Sequence, residues 1–306
     1  MTLKNIDGTL LPHLLQKNFG QEIFQALTQS QYLTVKGFAG SVPSIIAAET
    51  FITQKKTVLF IADDKEYAHY VTSELEELVG EDSVFYFPET HLEPYQIERT
   101  QNANIVFRTE VLNKILTSKT SKIIVANSTA LCELVMKKED FKAISHKIKV
   151  GDQLDFNFTE ELLSQFNFHL TDFVSEPGEF SVRGGIVDVF SYSNEKPYRI
   201  SFFGNEVESI REFDIETQLS IRKINEFELV SNMNFAVSGS RVPFLDVLPK
   251  DTIIISRNAY LSFTRIKNFY SKAHEKFDAL NPAITHSTPD ELFVSVEKFA
   301  QSFERF

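Results

Sequence analysis

Eight residues near the start of the chain have the types and spacing of a phosphate-binding loop stripped of its chemistry. Gly37-Phe-Ala-Gly40-Ser41-Val42-Pro43-Ser44 stands between a strand candidate and a helix candidate, where a Gly-rich turn can cradle a nucleotide. A working loop needs a Lys to neutralise the β- and γ-phosphates, followed by a hydroxyl residue that holds Mg²⁺. Pro43 occupies the Lys position and Val42 that of the last Gly. Proline brings no charge and takes a backbone donor out of the cradle. No Gly-Lys pair occurs anywhere in the sequence. Gly37, Gly40, Ser41, Pro43 and Ser44 are therefore read as a degenerate loop that keeps the shape and has lost the chemistry, and no cofactor is expected. Asp63 and Asp64, which follow an apolar run, read as helix caps rather than as Mg²⁺ ligands.

Other chemistry is thin. His13, His69, His91, His146, His169, His274 and His286 are scattered, without the His-x-x-x-His spacing of a metal site. Ser41 and Ser181 lack a nucleophile motif such as G-x-S-x-G. Cys132 is the single cysteine, which excludes an internal disulfide and reads as a small buried residue. No catalytic residue, no metal and no enzymatic activity are expected of this segment.

The elements that would position these residues follow an α/β order. Tyr32–Val35, Thr57–Ala62, Val84–Phe87 and Lys122–Ala126 read as buried strands. Helices are expected from near Pro43, from Asp64 to about Leu78, and from about Asn102 to Leu116. From about residue 133 the pattern turns to alternation. Asp155–Phe158, Phe166–Leu170, Ser181–Phe190, Tyr198–Phe203 and Val207–Phe213 read as strands of a small α+β unit. Near residue 230 the first pattern returns, with a strand at Thr252–Ser256 and a helix over Tyr260–Phe277. The expectation is a degenerate P-loop, RecA-like parallel-sheet domain in two parts, residues 1–132 and 230–306, interrupted by an inserted domain over 133–229. No clear terminal element is expected around Ser302–Phe306.

With 306 residues, 42% of them hydrophobic and 24% charged, the chain has the composition of a globular protein, although Phe numbers 29 and Trp 0. Net charge is −11 and the isoelectric point about 5.2. An acidic balance argues against a broad duplex-DNA grip, which needs a basic face. No run approaches the roughly 18 apolar residues of a membrane span, and the start Met1–Asp7 has no signal core. A cytoplasmic location is expected.

The most distinctive stretch is Pro177-Gly-Glu-Phe180-Ser-Val-Arg183-Gly184-Gly185-Ile-Val-Asp188-Val-Phe190. It continues through Pro197-Tyr198-Arg199-Ile-Ser201-Phe202-Phe203 to Glu206, Glu208, Arg211, Phe213-Asp214, Thr217 and Gln218. This segment closely resembles the second domain of the bacterial transcription-repair coupling factors (Mfd), and more distantly the matching domain of UvrB. The degenerate loop and His91-Leu-Glu-Pro94-Tyr95 agree more loosely. UvrB has an intact P-loop and a long DNA-clamping hairpin after the position of Tyr95, for which this chain has no room.

The resemblance implies a noncatalytic module whose inserted domain binds UvrA and recruits it to stalled RNA polymerase for nucleotide excision repair. It further implies that RNA polymerase and DNA are engaged only through downstream domains absent here. By motif position it assigns UvrA contact to Arg183, Arg199 and Phe203. Two arginines beside an exposed aromatic also fit the composition of an interface hot spot. The competing reading pairs Arg183 and Arg199 with Glu206, Glu208 or Glu179 on a solvated sheet face and puts Phe203 in the core. Ser181 stands where UvrB has a further arginine, and Ser201 where an acidic residue is usual. The alternative function is an ATP-dependent DNA helicase or damage-binding fragment akin to UvrB, which the missing Lys disfavours.

Overall fold

The computed structural model describes residue 23 and residues 32–37, 40–90, 93–95, 102–141, 143–154, 156–232, 240–280 and 286–306. Four runs rich in branched apolar residues form a parallel sheet: β1 (Val58–Ala62), β2 (Val84–Phe87), β3 (Ile123–Asn127) and β14 (Ile253–Ser256), in the order β14-β1-β3-β2. Every residue of β1 and β3 is buried, as continuous apolar strands covered on both faces must be.

The two-residue strand period sorts these side chains into two layers. Val58, Phe60, Ile123 and Val125 pack with helices α1 (Val42–Gln54) and α2 (Lys65–Val79) through Ala47, Ala48, Ala68, Val71 and Leu75. Leu59, Ile61, Ile124 and Ala126 face α3 (Asn102–Thr117), α7 (Ala259–Asp278) and α9 (Val296–Phe303) through Leu112, Ile266 and Phe299. Asp64 caps α2 by accepting from Tyr67 N at 2.8 Å, and Asn258 caps α7 by accepting from Leu261 N at 3.0 Å. The chain leaves this sheet after β3 and returns to it only at β14. Between them, β4 (Val135–Met136) pairs with β13 (Arg241–Val242), a short helix α4 (Lys138–Phe141) follows β4, and a further helix α6 (Phe244–Val247) precedes β14.

The intervening segment builds a second sheet, ordered β11-β10-β9-β8-β7-β6. Its strands are β6 (His169–Leu170), β7 (Glu179–Arg183), β8 (Ile186–Val189), β9 (Tyr198–Phe203), β10 (Glu206–Phe213) and β11 (Ser220–Ile224). Apart from the parallel β6–β7 pair it is antiparallel. One face carries Phe180, Val187, Val189, Ile200, Val207 and Ile210 into a core closed by Leu162 and Leu163 of α5 (Phe156–Gln165). The two-stranded pair β5 (Ser145–Lys149) and β12 (Glu226–Val230) adds Ile148, Phe227 and Leu229. Ile105 and Val106 of α3 join the same core, so the two sheets share one helix. The short helix α8 (Pro289–Leu292) precedes α9.

Several expectations need correction. Tyr32–Val35 is exposed and not a strand; the place beside β1 is taken by β14, whose three consecutive isoleucines bury better. Residues from Phe156 form α5 rather than a strand, because Leu162 and Leu163 extend the apolar pattern to helical spacing. Of Phe166–Leu170 only His169 and Leu170 are strand. Ser181–Phe190 is not one strand but the hairpin β7–β8, turned by Gly184 and Gly185. Gly184 has φ +60, and a Cβ on Gly185 would stand 3.2 Å from Phe202 O. The terminal element not foreseen is α9, capped by Ser295 accepting from Lys298 N at 3.3 Å.

A buried polar knot ties α3 to the ends of β2 and β3. Arg108 Nη1 donates to Pro88 O at 2.7 Å and Ala130 O at 3.1 Å, and its Nη2 lies 3.4 Å from Glu133 Oε2. Glu133 also accepts from Thr90 N at 2.7 Å. Burial lowers the Arg108 pKa, and the Glu133 carboxylate opposes that shift. Glu133→Ala should therefore strand a buried guanidinium and cost about 3–5 kcal/mol of unfolding free energy in urea denaturation. A loss under about 1 kcal/mol would show the pair to be dispensable.

Candidate functional site

Gly37 and Gly40 have positive φ, and Pro43 sits in the first turn of α1, as its fixed φ and missing N–H suit. The described residues give this segment the helix of a phosphate loop without the strand that should precede it. Its hydroxyls are also occupied. Ser44 Oγ donates to Glu74 Oε2 at 2.6 Å, and the Ser41 hydroxyl bonds the other oxygen of the same carboxylate. Glu74 projects from α2, so an anionic side chain already sits where incoming phosphates would repel it. Among the described residues no group of three or more His, Cys, Asp or Glu could hold a metal ion. His13 and His91 lie outside the described residues. Cys132 is buried, and burial pushes its thiol far above the usual range. No helix among the described residues is long and apolar enough to cross a membrane.

The second sheet brings the two sequence-nominated arginines together. The Gly-Gly hairpin pairs Arg183 with Ile186 and hence Ser181 with Asp188, and the β8–β9 register sets Asp188 opposite Arg199. Asp188 is 0% exposed and bridges both guanidiniums. Its Oδ2 accepts from Arg183 Nη2 at 2.5 Å and from Arg199 Nη2 at 2.8 Å, while Oδ1 accepts from Arg199 Nε at 2.7 Å. Arg199 Nη1 donates to Gln218 O at 3.1 Å, and its guanidinium lies 4.5 Å from the Phe213 ring centroid. Hydrogen bonding to Asp188 raises the Arg199 pKa. Arg183 lies over Phe173, 4.9 Å from the ring centroid. Side-chain exposure separates the pair, 41% for Arg183 against 18% for Arg199.

The register extends the polar row from Asp188 and Arg199 to Arg211 of β10 and Lys223 of β11. This open face therefore gathers cations in a chain of net charge −11. Phe203 is 80% exposed, whereas Phe202 packs against the core, as alternation on one strand requires. Placing Phe203 in the core is therefore excluded. The carboxylate partner is Asp188 rather than Glu206, Glu208 or Glu179; Glu179 instead accepts from Ser175 N at 2.8 Å and Glu176 N at 2.9 Å. Ser181 is buried, so it is not an exposed interface position.

Sequence reasoning passed over Asp188 and Phe173. A carboxylate inside the apolar run Ile186–Phe190 was the available signal, since such a group must find a cation. Phe173 belongs to no element and left no pattern to read.

Truncating the two arginines should have unequal effects on folding. Arg199→Ala removes two of the three hydrogen bonds from guanidinium to buried carboxylate and should cost about 3 kcal/mol in chemical denaturation. Arg183→Ala, at a half-exposed position, should cost less than about 1 kcal/mol. Equal losses would contradict the inward role of Arg199.

The UvrB interaction domain family matches residues 146–235, which take in the second sheet and, but for Ser145, the β5–β12 pair. A transcription-repair-coupling factor of Bacillus subtilis (strain 168) is 30% identical over 193 residues, covering 63% of this chain and 16% of the relative. That of Rickettsia bellii (strain RML369-C) is 30% identical over 191 residues, covering 62% and 17%. One from Staphylococcus epidermidis (strain ATCC 35984) is 24% identical over 233 residues, covering 76% and 20%. The chain thus spans 16–20% of the length of these relatives. It is similar, over three fifths to three quarters of its length, to part of the transcription-repair-coupling factors, and its residues 146–235 match the UvrB interaction domain.

Proposed function

We propose that this chain is a noncatalytic recruitment module that binds UvrA through the open face of its second sheet, using Arg183, Arg199 and Phe203. The observation that carries the reading is the Arg183–Asp188–Arg199 bridge beside a fully displayed aromatic, inside the segment that matches the UvrB interaction domain. Arginines fixed by an internal carboxylate lose little conformational freedom on docking, which favours them as interface anchors. The insert spans residues 133–229, between the parts 1–132 and 230–306 of a degenerate, P-loop-like, RecA-like frame. In the whole protein, cytoplasmic and without membrane contact, the module brings UvrA to stalled RNA polymerase for nucleotide excision repair. RNA polymerase and DNA are engaged by downstream domains.

The competing function, an ATP-dependent helicase or damage-binding fragment akin to UvrB, needs a triphosphate at α1. Pro43 in place of the Lys and the Glu74 carboxylate on Ser41 and Ser44 both weigh against it.

Titration of labelled UvrA with the chain tests the proposal. The Arg183→Ala, Arg199→Ala double variant should weaken binding by about 2–5 kcal/mol, provided circular dichroism shows it folded. Phe203→Ala, at a side chain 80% exposed, supplies a variant that little of the fold depends on. Wild-type affinity in both rejects the site. Titration with Mg·ATP should give no saturable signal; a saturable one would favour the helicase reading.

A further inference from the structure

The open face carries apolar surface to which the UvrA reading gives no role. Phe173, in the connection between β6 and β7, is 60% exposed even with the Arg183 guanidinium against its ring. Ile186, 37% exposed, closes the hairpin directly opposite Arg183. It is also the register partner of Ser201 on β9. Phe203 lies two residues beyond Ser201, hence on the same face, about 7 Å further along at the usual strand rise. Three separate pieces of chain thus bring an exposed apolar side chain to this face: Phe173 against the Arg183 guanidinium, Ile186 paired with Arg183 across the hairpin, and Phe203 on the next strand beyond Ile186. A lone exposed apolar residue is ordinary, whereas such convergence around a cation is the composition of a docking surface.

Arg183 is also the open guanidinium of the pair. Among the described residues it is engaged by Asp188 through Nη2 alone, while Arg199 uses Nε, Nη1 and Nη2 within the chain. A guanidinium with one face on an aromatic ring and one corner on a buried carboxylate is partly dehydrated and fixed in direction. Its remaining donors suit a second carboxylate.

We infer that Phe173, Ile186 and Phe203 form one apolar collar around Arg183, and that this collar receives an acidic side chain flanked by an apolar one on UvrA. The inference rests on the UvrA reading, and the experiment separates the two. UvrA is titrated with the whole chain and with Arg183→Ala, Phe203→Ala, Phe173→Ala and Ile186→Ala. Phe173→Ala and Ile186→Ala should each weaken binding about fivefold or more, with melting temperatures close to wild type because both side chains are exposed. Phe173→Tyr, which keeps the ring face, should stay within about twofold of wild type. Should Ile186→Ala lose stability, Ile186→Thr keeps the β-branch and takes its place.

Wild-type affinity in either Phe173→Ala or Ile186→Ala, with loss in Arg183→Ala and Phe203→Ala, overturns the collar and leaves the UvrA reading standing. Wild-type affinity in Arg183→Ala and Phe203→Ala overturns both.

Discussion

A carboxylate with no exposed surface must find polar partners inside the fold, and in the second sheet Asp188 finds them in two guanidiniums on the flanking strands. That requirement fixes the relative placement of β7, β8 and β9 together with their apolar face. A slip of one residue would turn the carboxylate into the apolar core and the arginines away from it. The Gly184–Gly185 turn sets the same register from the other end, because it closes on Arg183 and Ile186. The open face follows from these two constraints. Arg199 is drawn inward, Arg183 is left half outside, and Phe203 is turned fully to solvent.

The first sheet carries its own helices on both faces, and the hydroxyls at the start of α1 are taken up by side-chain bonding within the fold. Glu74 takes both hydroxyls at the start of α1, so the helix terminus that would attract phosphates faces an anion from its own neighbour. The same sheet is bound to the second through α3. That helix sends Ile105 and Val106 into the core of the second sheet and Leu112 into its own. Arg108 of α3, held by Glu133 and two backbone carbonyls, pins the helix between them. Among the described residues, the displayed arginine and aromatic therefore stand on a sheet whose core is joined to that of the first through α3.

Much of this architecture was legible in the residues. Val58–Ala62, Val84–Phe87, Ile123–Asn127 and Ile253–Ser256 are short branched apolar runs, and burial on both faces leaves such runs few alternatives. The Asp64 cap and the extent of α7 follow from local hydrogen bonding and 3.6-residue spacing, which need no distant partner. Arg183, Arg199 and Phe203 were reached through the resemblance of their segment to a known domain, and the pattern of residue types by itself left two readings open.

Tertiary structure decided the rest. Asp155–Phe158 alternates over too few residues to separate strand from helix; Asp155 lies outside the described residues, and from Phe156 onward the chain is helix, with Leu162 and Leu163 packed on the second sheet. Tyr32–Val35 is not a strand, and the neighbour of β1 is β14, a strand nearly 200 residues further along the chain that only the folded state brings alongside it. The side on which Phe203 emerges, the buried bridge at Asp188 and the meeting of Phe173 with Arg183 all depend on strand register. Register is a relation between segments, set by pairing geometry and by the cost of burying an uncompensated charge. Local sequence determines which residues can form strands and helices; which side chains then face one another is settled by contacts that exist only once the sheet has closed.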